Sequence, residues 1–313
     1  MLETYDLRNF GKKLKRLRVA LGYSQLIVSR ETGVNIDTLR KIENGHSIPR
    51  YDTLVHLSSL FKVDLGRILA SYQRSGLLFD FLKSLDHLMA FGRFTEIEGL
   101  HESFRVSLSE ADALKLVDCR TLKQINHLIL AISLRYKGDL QSAYTNIICA
   151  LRLSIHDFQI ENFDRYRYSA LEIRGLVVVA ACLGDLRNCE LSIRISKHVL
   201  TVVESNLYSD KIEDLYAIKS YANISYNYHR LDMHHDALQY AQLGIELSLR
   251  KGHLDMLHFL FLREAAAQYH LGNELHLESF KKCLYTLKIS GDHTHYQHMV
   301  QIIKDKYNLV ITL

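Results

Sequence analysis

The sequence predicts an all-α protein in two parts, a small N-terminal domain of short helices followed by a long body of repeated helix pairs. Two observations set the class. One proline and fifteen glycines in 313 residues leave few breakers with which to punctuate a β-sheet. From residue 92 onward, turns bearing Gly or Asp recur at nearly even intervals. A third observation sets the scale. The chain is longer than one typical domain, and a hydrophobic content of 48% suffices for sizeable cores.

The first helix is expected from about Leu7 to Leu21, with Phe10, Leu14, Leu17 and Leu21 as its core stripe. Lys12, Lys13, Lys15 and Arg16 fall off that stripe, where they could reach phosphates. Ser24 is a good N-cap for a second short helix, because its hydroxyl can accept from an orphan amide one turn on. Gly33 sits where the chain must reverse, and Asn35 caps a third helix that Gly45 closes. Leu39 and Ile42 give this third helix one buried edge. Its other face carries Asn35, Asp37, Thr38, Arg40 and Lys41, a mixed set of donors and acceptors. A helix lying in a major groove needs such a set, since base edges there present a distinguishable pattern. After Pro49, the residues Leu54, Leu57, Leu60 and Phe61 make a fourth helix, and Asp64 to Ala70 a fifth.

Residues 7–70 resemble the helix-turn-helix domain of phage-repressor-type (XRE/Cro-C1) regulators. The likeness rests on Gly22-Tyr23-Ser24-Gln25, the Gly33 turn, Ile42-Glu43-Asn44-Gly45, and Pro49 followed by Asp52-Thr53-Leu54. It implies that Arg18 pairs with Glu43, that Gln25 holds a phosphate, and that Asn35, Ile36, Asp37 and Lys41 read bases. Ile36 stands where the family often has a polar residue, which favours contact with a thymine methyl. Thr38, Arg40 and Asn44 complete the expected DNA-facing set.

The charge follows the same division. Residues 1–75 carry 13 Lys/Arg against 7 Asp/Glu, and the remaining 238 carry 26 against 28. Positive charge is therefore concentrated where phosphates would use it. The domains are expected at residues 1–71 and 77–313, with a linker at 72–76.

The body repeats around turns at Gly92, Gly138, Gly184, Asp232 and Gly272. Small residues such as Ala143 and Ala237 recur in the second helix of a pair, where they permit close approach. These units resemble degenerate tetratricopeptide repeats, and the resemblance implies a right-handed α-solenoid with a concave groove lined by the first helix of each pair. A last helix from His295 to Tyr307 would cap the array. The apolar tail Leu309–Leu313 could pack across the last repeat or join a subunit interface.

Together the two parts resemble the peptide-pheromone-responsive transcription regulators of Gram-positive bacteria (the RRNPP group, with its Rgg-like and PlcR-like proteins). This implies a homodimer that binds a double-stranded DNA operator under the control of a short signalling peptide. In such repeat domains an Asn clamps the peptide backbone, and registration on Ala237 places Asn223 there with Tyr226 one turn later. The same registration aims Arg174 and Arg263 into the groove, with Lys219, Arg135 and His229 as weaker candidates. An alternative keeps the DNA binding and makes the repeat body a protein-docking scaffold without a peptide ligand.

Other classes have little support. No Gly-rich phosphate loop, nucleophile elbow or pair of catalytic carboxylates is present, so no enzyme activity and no cofactor is expected. The histidines of His293-Thr294-His295-Tyr296-Gln297-His298 straddle a helix start without a completing ligand, so no metal is expected. Five cysteines without a CxxC read as reduced and buried, and no signal peptide or membrane span is expected. The expected location is the cytoplasm.

Overall fold

A computed structural model describes residues 5, 7–72, 76–90, 92–110, 119–205, 211–291 and 293–311. Among these residues there are sixteen α-helices and no strand. The chain divides into two compact units, Met1–Ser84 with Glu102–Cys119, and Leu85–His101 with Arg120–Leu313. The division thus runs through helices α6 (Gly76–Ala90) and α7 (Ile97–Glu110), not through the expected linker, of which residues 73–75 lie outside the described residues. Part of α6 returns to the first unit, where Phe81 stacks on Phe104 of α7 with ring centroids 4.2 Å apart.

The first unit begins with five short helices: α1 (Leu7–Ala20), α2 (Gln25–Thr32), α3 (Ile36–Glu43), α4 (Tyr51–Phe61) and α5 (Leu65–Ser71). Phe10, Leu14, Val28, Leu39, Ile42, Leu57, Phe61 and Leu65 close into one core. Burying each contributes roughly 1.5–3 kcal/mol. The stripe of α1 departs from expectation at its end. Leu21 lies beyond the helix and is 47% exposed, and the buried position is taken by Arg18. α5 starts at Leu65 because Asp64 stays outside as the cap, its Oδ1 accepting from the Arg67 amide at 2.9 Å.

The second unit is built from helix pairs: α8 (Cys119–Tyr136) with α9 (Leu140–Ser154), α10 (Ala170–Asp185) with α11 (Cys189–Ser205), α12 (Lys211–Arg230) with α13 (His234–Lys251), and α14 (Leu257–His270) with α15 (His276–Ile289). The helix α16 (His293–Tyr307) follows. Ala143 and Ala237 are fully buried in α9 and α13, as close packing requires. Serines help to tie the helices together: Ser192 donates to the Ala180 carbonyl at 2.6 Å and Ser225 to the Ala237 carbonyl at 2.7 Å. The apolar stretch from Gly175 to Leu183 is the middle of α10. That helix is buried on nearly every side, as one hydrophobic all round must be.

Four of the five expected turns have left-handed backbone, at Gly92, Gly138, Asp232 and Gly272. Gly184 does not. It remains inside α10, and the left-handed residue of that turn is Arg187 (φ 69°). A Cβ at Gly184 would come within 2.8 Å of Asn227 Oδ1, so this glycine is there for packing between α10 and α12.

The tail behaves as one of the two expected alternatives. Leu309 and Ile311 pack with Tyr307 against the core of α14, α15 and α16; residues 312–313 lie outside the described residues. The cysteines are all unpaired, but only Cys182, Cys189 and Cys283 are buried; Cys119 is exposed and Cys149 half-buried. Among the described residues no helix is long and apolar enough to cross a membrane.

Candidate functional site

The first candidate site is the outer face of α3. Ser24 Oγ accepts from the Ile27 amide at 3.1 Å and starts α2, and Gly33 (φ 70°) ends it in a left-handed turn. Asn35 then caps α3, its Oδ1 accepting from the Asp37 amide at 2.8 Å. The cap at the other end is Asn44. Gly45 (φ 73°) follows it, and the His46 amide donates back to the Lys41 carbonyl at 2.8 Å.

What holds α3 in place is an ion pair below its exposed face. Arg18 Nε donates to Glu43 Oε1 at 2.5 Å and Nη2 to Oε2 at 3.0 Å. Arg18 Nη1 also donates to the Tyr23 carbonyl at 2.8 Å. The side chains are 9% and 1% exposed, so the pair is desolvated and its bidentate geometry specifies one placement of α1 against α3. Two glycines allow the approach. A Cβ at Gly11 would stand 2.4 Å from the Ile42 carbonyl oxygen, and one at Gly45 would stand 2.7 Å from Arg8 Cα.

Asn35, Asp37, Thr38, Arg40, Lys41 and Asn44 are exposed on this unit, and Ile36 is half-buried. Asp37 accepts from Arg40 Nη1 at 2.9 Å, so these two charges partly neutralise one another. Gln25, expected to hold a phosphate, has a partner inside the unit. Its Nε2 donates to Glu43 Oε2 at 2.8 Å, which turns the amide toward the ion pair as a third partner of the carboxylate.

The second candidate site is a groove of about 300 Å³ in the repeat body. Its walls come from the first helix of all four pairs: Ile132 and Arg135 of α8, Val177, Ala181 and Asp185 of α10, Asn223 and Tyr226 of α12, and Phe259 and Arg263 of α14. Met89, Phe94, Lys219, Ala222 and Met256 complete much of the apolar lining and one charged edge. Five of the six residues expected to meet a ligand therefore line one cavity: Arg135, Lys219, Asn223, Tyr226 and Arg263.

Each has a distinct environment. Arg135 Nε donates to Asp185 Oδ2 at 2.7 Å. The Arg263 guanidinium lies 4.2 Å from the Tyr226 ring centroid, and burial pulls its pKa below the usual guanidinium range. Arg230 lies 5.0 Å from the same centroid and donates to the Gly184 carbonyl. Asn223 is half-buried and lines the cavity.

Arg174 is the residue that the structure takes away from the groove. Its Nη2 donates to Asp86 Oδ2 at 2.6 Å and its Nε to Oδ1 at 3.2 Å, with only 4% of the side chain exposed. Asp86 also accepts from Tyr216 at 3.2 Å and from Lys219 Nζ at 3.5 Å. Burial alone would push the Asp86 carboxyl up, but Lys219 and Arg174 hold it below the usual carboxylate range. His229 is also absent from the cavity wall. It packs on His234 and His270 at 4.9 and 4.8 Å, and burial with those neighbours pushes its pKa down to about 4.

Sequence reasoning missed Asp86, Asp185 and Gly11. The signal for Asp86 is weak, one of two acids on α6, set beside Phe81, Leu85 and Leu88 with nothing in the spacing to mark it from Asp80.

Residues 11–74 match the helix-turn-helix domain family. No curated protein matches the chain. Over nearly its whole length the chain has the fold of several solved structures. Bacillus thuringiensis PlcR in complex with the peptide PapR7 and DNA is 15% identical, with a TM-score of 0.70 over 94% of this chain and 99% of that one. ComR from S. thermophilus, in complex with DNA and its signalling peptide ComS, is 15% identical, with a TM-score of 0.54 over 93% and 97%. The Streptococcus dysgalactiae SHP pheromone receptor Rgg2 is 14% identical, with a TM-score of 0.52 over 95% and 99%.

Proposed function

We propose that this helix-turn-helix protein is a cytoplasmic, homodimeric transcription regulator, without enzyme activity, whose operator affinity is set by a short signalling peptide in the repeat groove. The observation that carries the reading is the groove itself, to which the first helices of all four pairs contribute. Its apolar walls and the Asn223 among its lining residues suit an extended peptide, whose backbone amides lack partners of their own. The likeness to PlcR, ComR and Rgg2 supports the same reading.

Asn35, Ile36, Asp37, Thr38, Arg40, Lys41 and Asn44 form the surface offered to a major groove. Gln25 is assigned a supporting part, holding Glu43 and hence α3, with phosphate contact left to the surrounding backbone amides and lysines. One such face covers only part of a helical turn, so two copies must act, with reader helices about 34 Å apart. A ligand changes DNA affinity only by its unequal affinity for two protein conformations. The groove is where that inequality would arise, since its walls belong to separate helices.

The test is a titration of a host-promoter DNA pool with wild type and with Asn223→Ala/Arg263→Gln, each with and without a peptide extract of the host. Wild type is expected to shift its DNA affinity with extract and the double variant to stay at its extract-free value. A variant that still responds fully places sensing elsewhere. Wild type indifferent to every extract moves the protein-docking scaffold ahead.

A further inference from the structure

Three imidazoles meet where α12, α13 and α14 come together. His229 and His270 lie in the last turns of α12 and α14, and His234 begins α13. Their ring centroids form a nearly even triangle, 4.9, 4.8 and 4.6 Å on a side. His229 Nδ1 and His234 Nδ1 face one another at 3.2 Å.

Two nitrogen lone pairs do not face each other at that distance without something positive between them. A hydrogen on one ring serves, and so does a metal ion, which satisfies both rings at once. The dimensions suit an ion. Three nitrogens held tetrahedrally at about 2.0–2.1 Å from zinc stand roughly 3.3 Å apart, with ring centroids roughly 5 Å apart. The protonation state suits it too, because a ligand imidazole must be neutral. Burial first, and the neighbouring rings second, lower the pKa of both His229 and His234. Asp232 Oδ1 stands 3.9 Å from His234 Nε2, the nitrogen away from His229, where a carboxylate favours the tautomer that leaves Nδ1 free. Arg263 opposes positive charge at His229, and Asp232 favours it.

Among the described residues no three such side chains already stand as a finished ligand set. His270 is the ring that must move, since it is stacked on His234 with 23° between their planes and has to turn its edge toward the ion. It is exposed at its helix end, so a change of rotamer displaces no core residue.

We propose that His229, His234 and His270 form a binding site for a divalent transition metal of the zinc class, which pins α12, α13 and α14 to one another. Imidazole ligands suit zinc, nickel and copper, whereas calcium and magnesium take oxygen. Water takes the fourth position. Because α12 and α14 also wall the groove through Tyr226 and Phe259, the ion fixes the spacing of two of its walls. The site does not depend on what the groove binds.

The experiment uses full-length protein stripped with a chelator and desalted. It is titrated with zinc chloride in competition with a chromophoric chelator, and with cobalt chloride as a spectroscopic substitute for zinc. The variants are His229→Gln, His234→Gln, His270→Gln, and the control His293→Gln/His298→Gln, which removes two exposed imidazoles of α16. Wild type is expected to take one zinc ion per chain, to give the visible bands of tetrahedral cobalt, and to melt at a higher temperature with zinc. Each cluster variant is expected to lose about tenfold or more in zinc affinity, and with it the rise in melting temperature. The control is expected to lose neither. Wild type without stoichiometric zinc binding overturns the proposal, as does a loss of affinity confined to the control or absent from the cluster variants. Where a change at half-buried His229 or His234 prevents folding, the exposed His270→Gln decides.

Discussion

Glu43 in the helix-turn-helix unit and Asp86 in the repeat body are both buried carboxylates, and they are satisfied in opposite ways. Glu43 meets one cation, Arg18, in bidentate contact, with the neutral Gln25 amide as third donor. Asp86 meets two cations and a phenol. The first arrangement closes on itself and leaves α3 with a single placement. The second leaves positive charge over at the edge of an open groove. The Glu43 pair is self-contained, whereas the Asp86 cluster leaves Lys219 both in contact with the carboxylate and on the cavity wall.

The largest expected effect separates them at once. Asp86→Asn leaves Arg174 and Lys219 buried without an anion, and is expected to cost about 3–5 kcal/mol in chemical denaturation. Lys219→Met removes the spare cation instead, keeps the Asp86–Arg174 pair, and is expected to cost much less. Equal losses would mean that Asp86 counts only as a packing group. The pH dependence has a definite sign. Because the folded Asp86 carboxyl lies below its usual value of 3.8, its stabilisation is complete above that value and is lost as pH falls through the lower folded value.

The Arg18–Glu43 pair comes next. Arg18→Met and Glu43→Gln should each destabilise by roughly 3 kcal/mol, whereas the double change should cost less than the sum by about 1–3 kcal/mol. Additive losses would show that the two side chains act independently, against the bidentate geometry.

Smaller still are the effects on DNA. Asp37→Ala and Lys41→Ala should each weaken operator binding by about 1–3 kcal/mol and relax one base position, with melting unchanged. Gln25→Ala should act through Glu43, lowering stability along with binding. Equal loss on operator and random DNA for Asp37→Ala and Lys41→Ala would remove both from base reading.

The last effect, at His229, shows only as a pH dependence. Its folded pKa of about 4, against 6.5, means that the unfolded chain binds more protons between those values. Stability should therefore fall as pH drops through that window, and His229→Leu should flatten the slope. An unchanged slope would place the titration on His234 or another group.

The sequence made legible what local spacing specifies. Ser24 and Asn35 accept from amides three and two residues on, Gly33 donates to the Ser29 carbonyl four residues back, and all three behave as read. The alternating pairs around α8 to α15 follow from turns with left-handed residues, so the groove-lining helices could be named. What was lost depends on partners far along the chain. Arg174 finds Asp86 at a separation of 88 residues, and Lys219 finds it at 133. Registration could say that Arg174 points inward, not that a carboxylate waits there. Gly184 misled for a related reason, since a glycine needed for contact with Asn227 reads like a glycine needed for a turn. The Gln25 amide likewise finds the Glu43 carboxylate, 18 residues along the chain, a contact that local spacing does not show.

Gly11 bears on how a genetic screen of this protein would read. The atoms a side chain there would strike are the Ile42 and Glu43 carbonyls, backbone that cannot turn aside. Even alanine must therefore lever α1 away from the end of α3, and the face that α3 offers to DNA moves with it. A search for variants blind to their operator would collect substitutions at position 11 alongside those at Asp37 and Lys41. A map drawn from such hits would mark a residue on the far side of α3 as though it touched a base. Sorting the hits by melting temperature before mapping them separates the lever from the surface it moves.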